Sequence, residues 1–161
     1  MNGRTPTRLN ALWETRIFTL LTLDGRRWLL PQTEVQALEA LPDIDPEVRA
    51  PQSVGAITFA GEWWPVYCLS GELRLLPQIP AGRWVCPLLN NGADRFSLIC
   101  DQVETLVEPS RLHPVPACMA PPDSPIQALV LLDRGLGCVT TTEYIARLIA
   151  TSGMSGDGLD V

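Results

Sequence analysis

The chain has 161 residues, 46% of them hydrophobic and 19% charged, with 15 Pro and 12 Gly. That length suits one domain that buries a core without disulfide or metal staples, and the composition excludes both a disordered chain and a long helical one. The net charge is −6 and no run of Lys and Arg exceeds Arg26-Arg27, which excludes the electrostatic footprint of a nucleic-acid binder.

Met1 to Asn10 is polar, carries Arg4 and Arg8 and has no apolar core, so it does not read as a secretory signal. No stretch reaches the roughly 18 apolar residues of a membrane span. The expected location is the cytoplasm, without insertion into a membrane. Cys68, Cys86, Cys100, Cys118 and Cys138 are widely spaced, odd in number and lack a C-x-x-C pair. They read as small buried hydrophobes, and with His113 the single histidine, no metal site is expected.

Ile17 to Leu23, Asp24-Gly25 and Arg26 to Leu30 read as a hairpin, since Gly25 takes the positive φ of a primed turn. Thr33 to Gln36 has capping-box spacing, and Val35, Leu38 and Leu41 recur on one helical face, so a short helix is expected before Pro42. Residues 42–53, with three prolines, form a loop. Val54 to Phe59 and Trp63 to Leu69 flank a turn at Ala60-Gly61-Glu62. Both faces of the second of these strands are apolar, and adjacent Trp63 and Trp64 must point to opposite sides, which puts at least one under a second layer or in an interface.

Arg83 to Leu89 and Arg95 to Cys100 form a further hairpin around Asn91-Gly92, followed by a strand at Val103 to Val107. Residues 108–125 hold six prolines and read as an ordered crossing or a mobile loop. Ile126 to Leu132 and Leu136 to Thr140 make the last hairpin. Thr140 and Glu143 have capping-box spacing ahead of an amphipathic helix with Tyr144, Ile145, Leu148 and Ile149 on one face. The domain is expected over 15–150, with a flexible segment at 1–14 and a disordered tail at 151–161. Eight to ten short strands in successive hairpins, with one helix after the first hairpin and one at the end, specify an all-β fold with minor α.

The sequence holds no phosphate-cradling glycine loop, metal-binding helix motif or nucleophile elbow. His113 reads as a solvated loop residue, Asp101 as a charge where a strand meets solvent, and Cys118 as a thiol with nothing cationic nearby to activate it. No catalytic residue and no cofactor is expected. The surplus is in tryptophan: Trp13, Trp28, Trp63, Trp64 and Trp84, a residue that serves both cores and interface hot spots.

The order of several segments resembles the CheW-like domains of chemotaxis coupling proteins. These are Leu23-Asp24-Gly25 with Trp28 to Pro31, Val35-Gln36-Ala37-Leu38, Val54 to Gly61 followed by Pro65-Val66, Leu98 to Val103, and Glu108 to Pro116. The resemblance covers about residues 15 to 150. It implies two small five-stranded β-barrels sharing a hydrophobic interface, and a non-catalytic adaptor of a chemotaxis-type, two-component pathway. The implied partners are the regulatory domain of a CheA-type histidine kinase, the cytoplasmic tip of a chemoreceptor, or both.

Carried onto this chain, the resemblance gives Val35, Ala37, Ala60, Glu62, Trp63 and Trp64 as candidate partner-binding residues, with Gly25, Gly55, Gly61 and Gly92 as structural turns. Three positions depart from the family. Ala37 stands for a Glu, Ala60 for an Arg and Cys68 for an Asp, so an interface built on those charges has to be rebuilt on apolar contact. A diverged module serving pilus or surface motility, or a partner outside chemotaxis, is the second expectation. A small-ligand-binding β-barrel is the third.

Overall fold

The computed structural model describes residues 17–119 and 121–159. The expected N-terminal segment 1–14 lies outside them. Among the described residues there are eleven strands: β1 (Phe18–Leu23), β2 (Arg26–Pro31), β3 (Val35–Ala40), β4 (Gly55–Phe59), β5 (Glu62–Tyr67), β6 (Val85–Asn90), β7 (Arg95–Leu98), β8 (Gln102–Thr105), β9 (Leu112–His113), β10 (Ala128–Leu132) and β11 (Gly135–Val139). One helix, α1 (Thr142–Leu159), follows.

The strands form two curled sheets. Sheet I has six strands in the order β8-β1-β2-β11-β10-β9, and sheet II has five in the order β3-β6-β7-β5-β4. Sheet I therefore exceeds the expected five, because the two-residue β9 forms inside the proline-rich stretch and pairs Leu112 and His113 with β10. His113 is half-buried there and not a solvated loop residue. The chain enters sheet II after β2 and returns to sheet I at β8, so sheet II is an insertion with two crossings.

Turn chemistry sets the hairpins. Asp24 (φ 51°) and Gly25 (φ 81°) close β1–β2, and Ala60 (φ 54°) and Gly61 (φ 79°) close β4–β5, both with the two positive φ angles of a primed turn. Gly92 is also left-handed (φ 94°) between β6 and β7. Gly55 is not a turn residue. It opens β4, where a Cβ would lie 2.6 Å from Ile44 Cγ2 and 2.8 Å from Asp45 O, so the requirement is for close approach.

The helix expected at Val35 to Leu41 is a strand, preceded by a single 3-10 turn at Gln32–Glu34. The register with β6 shifts between Val35 and Ala37, and that bulge gives the three-residue apolar spacing a strand geometry. Pairing with β6 outweighs a local helical preference that Thr33 does not reinforce, since the turn has no side-chain cap. Leu38 is consequently exposed. Pro87 lies in central strand β6 without a donor to offer, and Ser97 Oγ donates to its carbonyl at 2.8 Å.

The cap of α1 falls one residue later than expected. Tyr144 N donates to Thr141 Oγ1 at 3.1 Å, and Thr142 N donates to Glu34 Oε1 at 2.9 Å, so a carboxylate from the first crossing sits at the positive end of the helix. The helix runs to Leu159, past residue 151 where a disordered tail is expected, and Thr151 Oγ1 donates back to Arg147 O at 2.8 Å within it.

Three apolar clusters result. Phe18, Leu20, Leu29, Leu112, Ala128, Val130 and Val139 fill the interior of sheet I. Val54, Ile57, Val66, Cys68, Cys86 and Ile99 fill that of sheet II. A third cluster joins the sheets, with Leu21, Leu23, Trp28 and Leu30 from one, Val85, Leu89, Phe96 and Leu98 from the other, and Ile145 and Ile149 from α1. A shared interface between two curled sheets is thus the largest part of the core.

One charged group lies in that junction. Arg83, just before β6, has a fully enclosed side chain. Its Nη2 donates to Asp24 Oδ1 at 2.9 Å and its Nη1 to Ile99 O at 2.9 Å, while Cys68 Sγ lies 3.7 Å from Nη1. Nε is 3.2 Å from Asp101 Oδ2 but off its N–H direction, so that contact is ionic and not a hydrogen bond. Asp101 Oδ2 in turn accepts from Asp24 N at 2.8 Å, and Asp24 Oδ2 accepts from Gly71 N at 3.1 Å. Asp101 is therefore not the solvated strand-end charge expected from sequence. Gly71 completes the arrangement: Trp28 Nε1 donates to its carbonyl at 2.9 Å, and a Cβ there would stand 2.7 Å from Leu23 O.

The two sides of this cluster differ in access to water. Asp24 is 45% exposed at its side chain and Arg83 is fully covered. Replacing both Asp24 and Asp101 by Ala leaves a buried cation unpaired and is expected to cost about 3 kcal/mol or more, whereas Arg83→Met leaves carboxylates that water reaches and is expected to cost about 1–2 kcal/mol. Urea unfolding of the two variants checks this; equal losses contradict it.

The hydrogen bond from Arg83, opposed by desolvation and aided by the Gly71 amide and the guanidinium charge, holds the Asp24 carboxyl below its ordinary value. A depressed folded pKa stabilises the fold fully above the unfolded value and loses that contribution as pH falls through the folded one. Stability of the native protein is expected to drop as pH falls below the ordinary carboxylate range. Asp24→Asn is expected to flatten that part of the profile, measured as urea midpoint against pH.

Candidate protein-docking surface

Three of the cysteines, Cys68, Cys86 and Cys100, are buried. Burial pushes the Cys86 thiol up to about 12, helped by Asp43 and Glu39, and also raises Cys68 and Cys100. Such thiols are inert. Cys118 is exposed and Cys138 half-buried, so burial of all five cysteines does not hold. The barrel interiors are filled by side chains. An open groove of about 560 Å³ lies outside them, between α1 and sheet II, lined by Pro65, Tyr67, Arg95, Phe96, Ile149 and Ala150 among others.

The functional surface has to be sought among exposed apolar groups. Alternation along β5 separates the tryptophan pair as expected: Trp64 is 2% exposed and Trp63 is 53% exposed. Trp64 packs edge-on to Phe59, with ring centroids 6.2 Å apart, and lies 5.6 Å beneath the Arg95 guanidinium. Arg95 is paired with Glu62, so Glu62 holds the cation over the buried ring. Ala60 is exposed in the turn beside them.

Val35 and Ala37 are half-buried on β3, and Val35 packs against the junction core. β3 and β4 are at opposite ends of the strand order in sheet II, so the sequence candidates divide into two locations: Val35 with Ala37, and Ala60, Glu62, Trp63 with Trp64. Cys68 is buried beside Arg83 and belongs to the fold, not to the surface.

Sequence reasoning passed over Trp84 and Leu41 as surface residues. Trp84 is 58% exposed, and its carbonyl accepts from Leu41 N at 2.8 Å, which sets these two exposed side chains together where β3 ends and β6 begins. Leu38 is exposed further along β3, opposite Pro87. Glu39 and Asp43 lie close by. Burial raises the Glu39 carboxyl, and the neighbouring Asp43 carboxyl raises it further. The legible signal was the pair Arg83-Trp84 at the mouth of a strand, where one side chain must turn in and the other out.

The buried and exposed rings have different expected roles. Trp64→Ala is expected to cost about 3–5 kcal/mol of stability through the cavity it opens, and Trp63→Ala under about 1 kcal/mol. Thermal or urea unfolding distinguishes them, and similar losses at both sites contradict the assignment.

No family model and no curated protein matches the sequence. Among solved structures, the chain is similar to the crystal structure of scaffolding protein TtCheW from Thermoanaerobacter tengcongensis. The TM-score is 0.62 at 14% identity, covering 81% of this chain and 92% of that one. Two curled sheets with a shared core and a C-terminal helix give this protein a divergent CheW-like fold.

Proposed function

We propose that the protein is a non-catalytic adaptor of a chemotaxis-type signalling pathway, joining a CheA-type histidine kinase regulatory domain, a chemoreceptor tip or both through protein contacts. The observation that carries this reading is the exposure of two tryptophans, Trp84 at 58% and Trp63 at 53%, with Leu38 and Leu41 exposed as well. Tryptophan on a rigid strand offers large apolar area at small entropic cost, and such residues dominate binding when a partner covers them.

The family's charged positions support an apolar mode of docking. Ala37 is half-buried and Ala60 carries no fork, so neither supplies a directional ion pair. Leu41 and Trp84 supply desolvation energy in their place. No described helix is long and apolar enough to cross a membrane.

Isothermal titration with a CheA-type kinase regulatory domain, and separately with a chemoreceptor cytoplasmic tip, tests the reading. Binding at tens of micromolar or tighter to at least one is expected. Trp84→Ala or Trp63→Ala is expected to weaken it by more than about 1 kcal/mol with the fold intact. Absence of binding to both overturns it.

A further inference from the structure

Arg83 and Trp84 are adjacent in sequence and opposite in environment, one fully enclosed and the other largely exposed. Adjacent side chains of extended backbone point to opposite sides, so seating the guanidinium inward directs the indole outward. The Trp84 backbone is held on both flanks, its N–H donating to Cys100 O at 3.1 Å and its carbonyl accepting from Leu41 N at 2.8 Å. Asp101 follows Cys100 directly. Its carboxylate contacts Arg83, and its amide donates to Thr22 O on β1 at 3.0 Å.

The β1–β2 hairpin is thus connected to the exposed indole by hydrogen bonds and chain neighbours: Asp101 N to Thr22 O, Asp24 N to Asp101 Oδ2 and Arg83 Nη2 to Asp24 Oδ1, then Trp84 N to Cys100 O beside Asp101, then Leu41 N to Trp84 O. We propose that Arg83 is a positioning residue for the Leu41–Trp84 patch, transmitting the setting of the sheet I hairpin to the docking side chains of sheet II. The consequence for partner binding rests on the adaptor reading. The coupling is a property of the free protein.

Gly71 extends the same connection. Its amide and carbonyl are held by Asp24 and Trp28, so the loop between β5 and β6 is tied to the hairpin that anchors Arg83. Substitution at Asp24, on the far side of the guanidinium from Trp84, is the informative perturbation because it touches no residue of the patch.

Amide hydrogen exchange on the free, full-length protein tests the coupling, with wild type, Arg83→Met and Asp24→Asn compared. Exchange at Leu41 and Trp84 is expected to accelerate in both variants about tenfold or more beyond any change at Leu29 and Leu88, which report the global stability. Titration with the CheA-type regulatory domain is expected to weaken about fivefold in each, and Arg83→Met is expected to add nothing to Trp84→Ala. Wild-type exchange at Leu41 and Trp84 in folded Asp24→Asn overturns the coupling whatever the titration gives. Should Arg83→Met fail to fold, Asp24→Asn decides alone, since it keeps the second carboxylate. Failure of wild type to bind the kinase domain and the receptor tip overturns the adaptor reading, and the exchange result still decides the coupling.

Discussion

The fold depends on a cation with no access to water. A guanidinium in an apolar junction needs compensating partners, and Arg83 has hydrogen bonds from its two Nη atoms to the first hairpin and to the end of sheet II, with the Asp101 carboxylate as an ionic neighbour of Nε. Apolar packing between the sheets is non-directional and would allow them to slide. The hydrogen bonds of Arg83 to Asp24 Oδ1 and Ile99 O are directional, so they supply geometry where the surrounding leucines supply energy.

That division of labour extends to the crossings between the sheets. Sheet II is inserted between β2 and β8, and both crossings are pinned by carboxylates. Glu34 at the first receives the start of α1, and Asp101 at the second receives Arg83. The helix, the two sheets and the loop at Gly71 thus form one body, on which exposed indoles hold defined positions. Rigid presentation matters for an adaptor, because ordering a loose surface subtracts from the affinity it can offer.

The position of Cys68 illustrates how a divergent chain keeps this body together. Its buried thiol lies 3.7 Å from the Arg83 guanidinium, and the carboxylates beside that cation come from Asp24 and Asp101. Ala60 shows the opposite outcome. It stands exposed in a left-handed turn with no charged side chain of its own, and Arg95 lies over the buried Trp64.

Local chemistry was legible in the sequence: Asp24-Gly25, Ala60-Gly61 and Asn91-Gly92 determine their hairpins because positive φ is a property of a residue and its neighbour. The split of Trp63 from Trp64 followed from strand alternation alone. Tertiary structure decided the rest. Val35 to Ala40 became a strand because β6 offered a ladder, and α1 gained beside its local Thr141 cap a second acceptor from Glu34, 108 residues away in sequence. Arg83 met Asp24 across 59 residues. Nothing in the neighbourhood of an arginine in sequence records which distant carboxylates will surround it, since that is fixed only when the two sheets close over the charge and exclude the water that would otherwise solvate it.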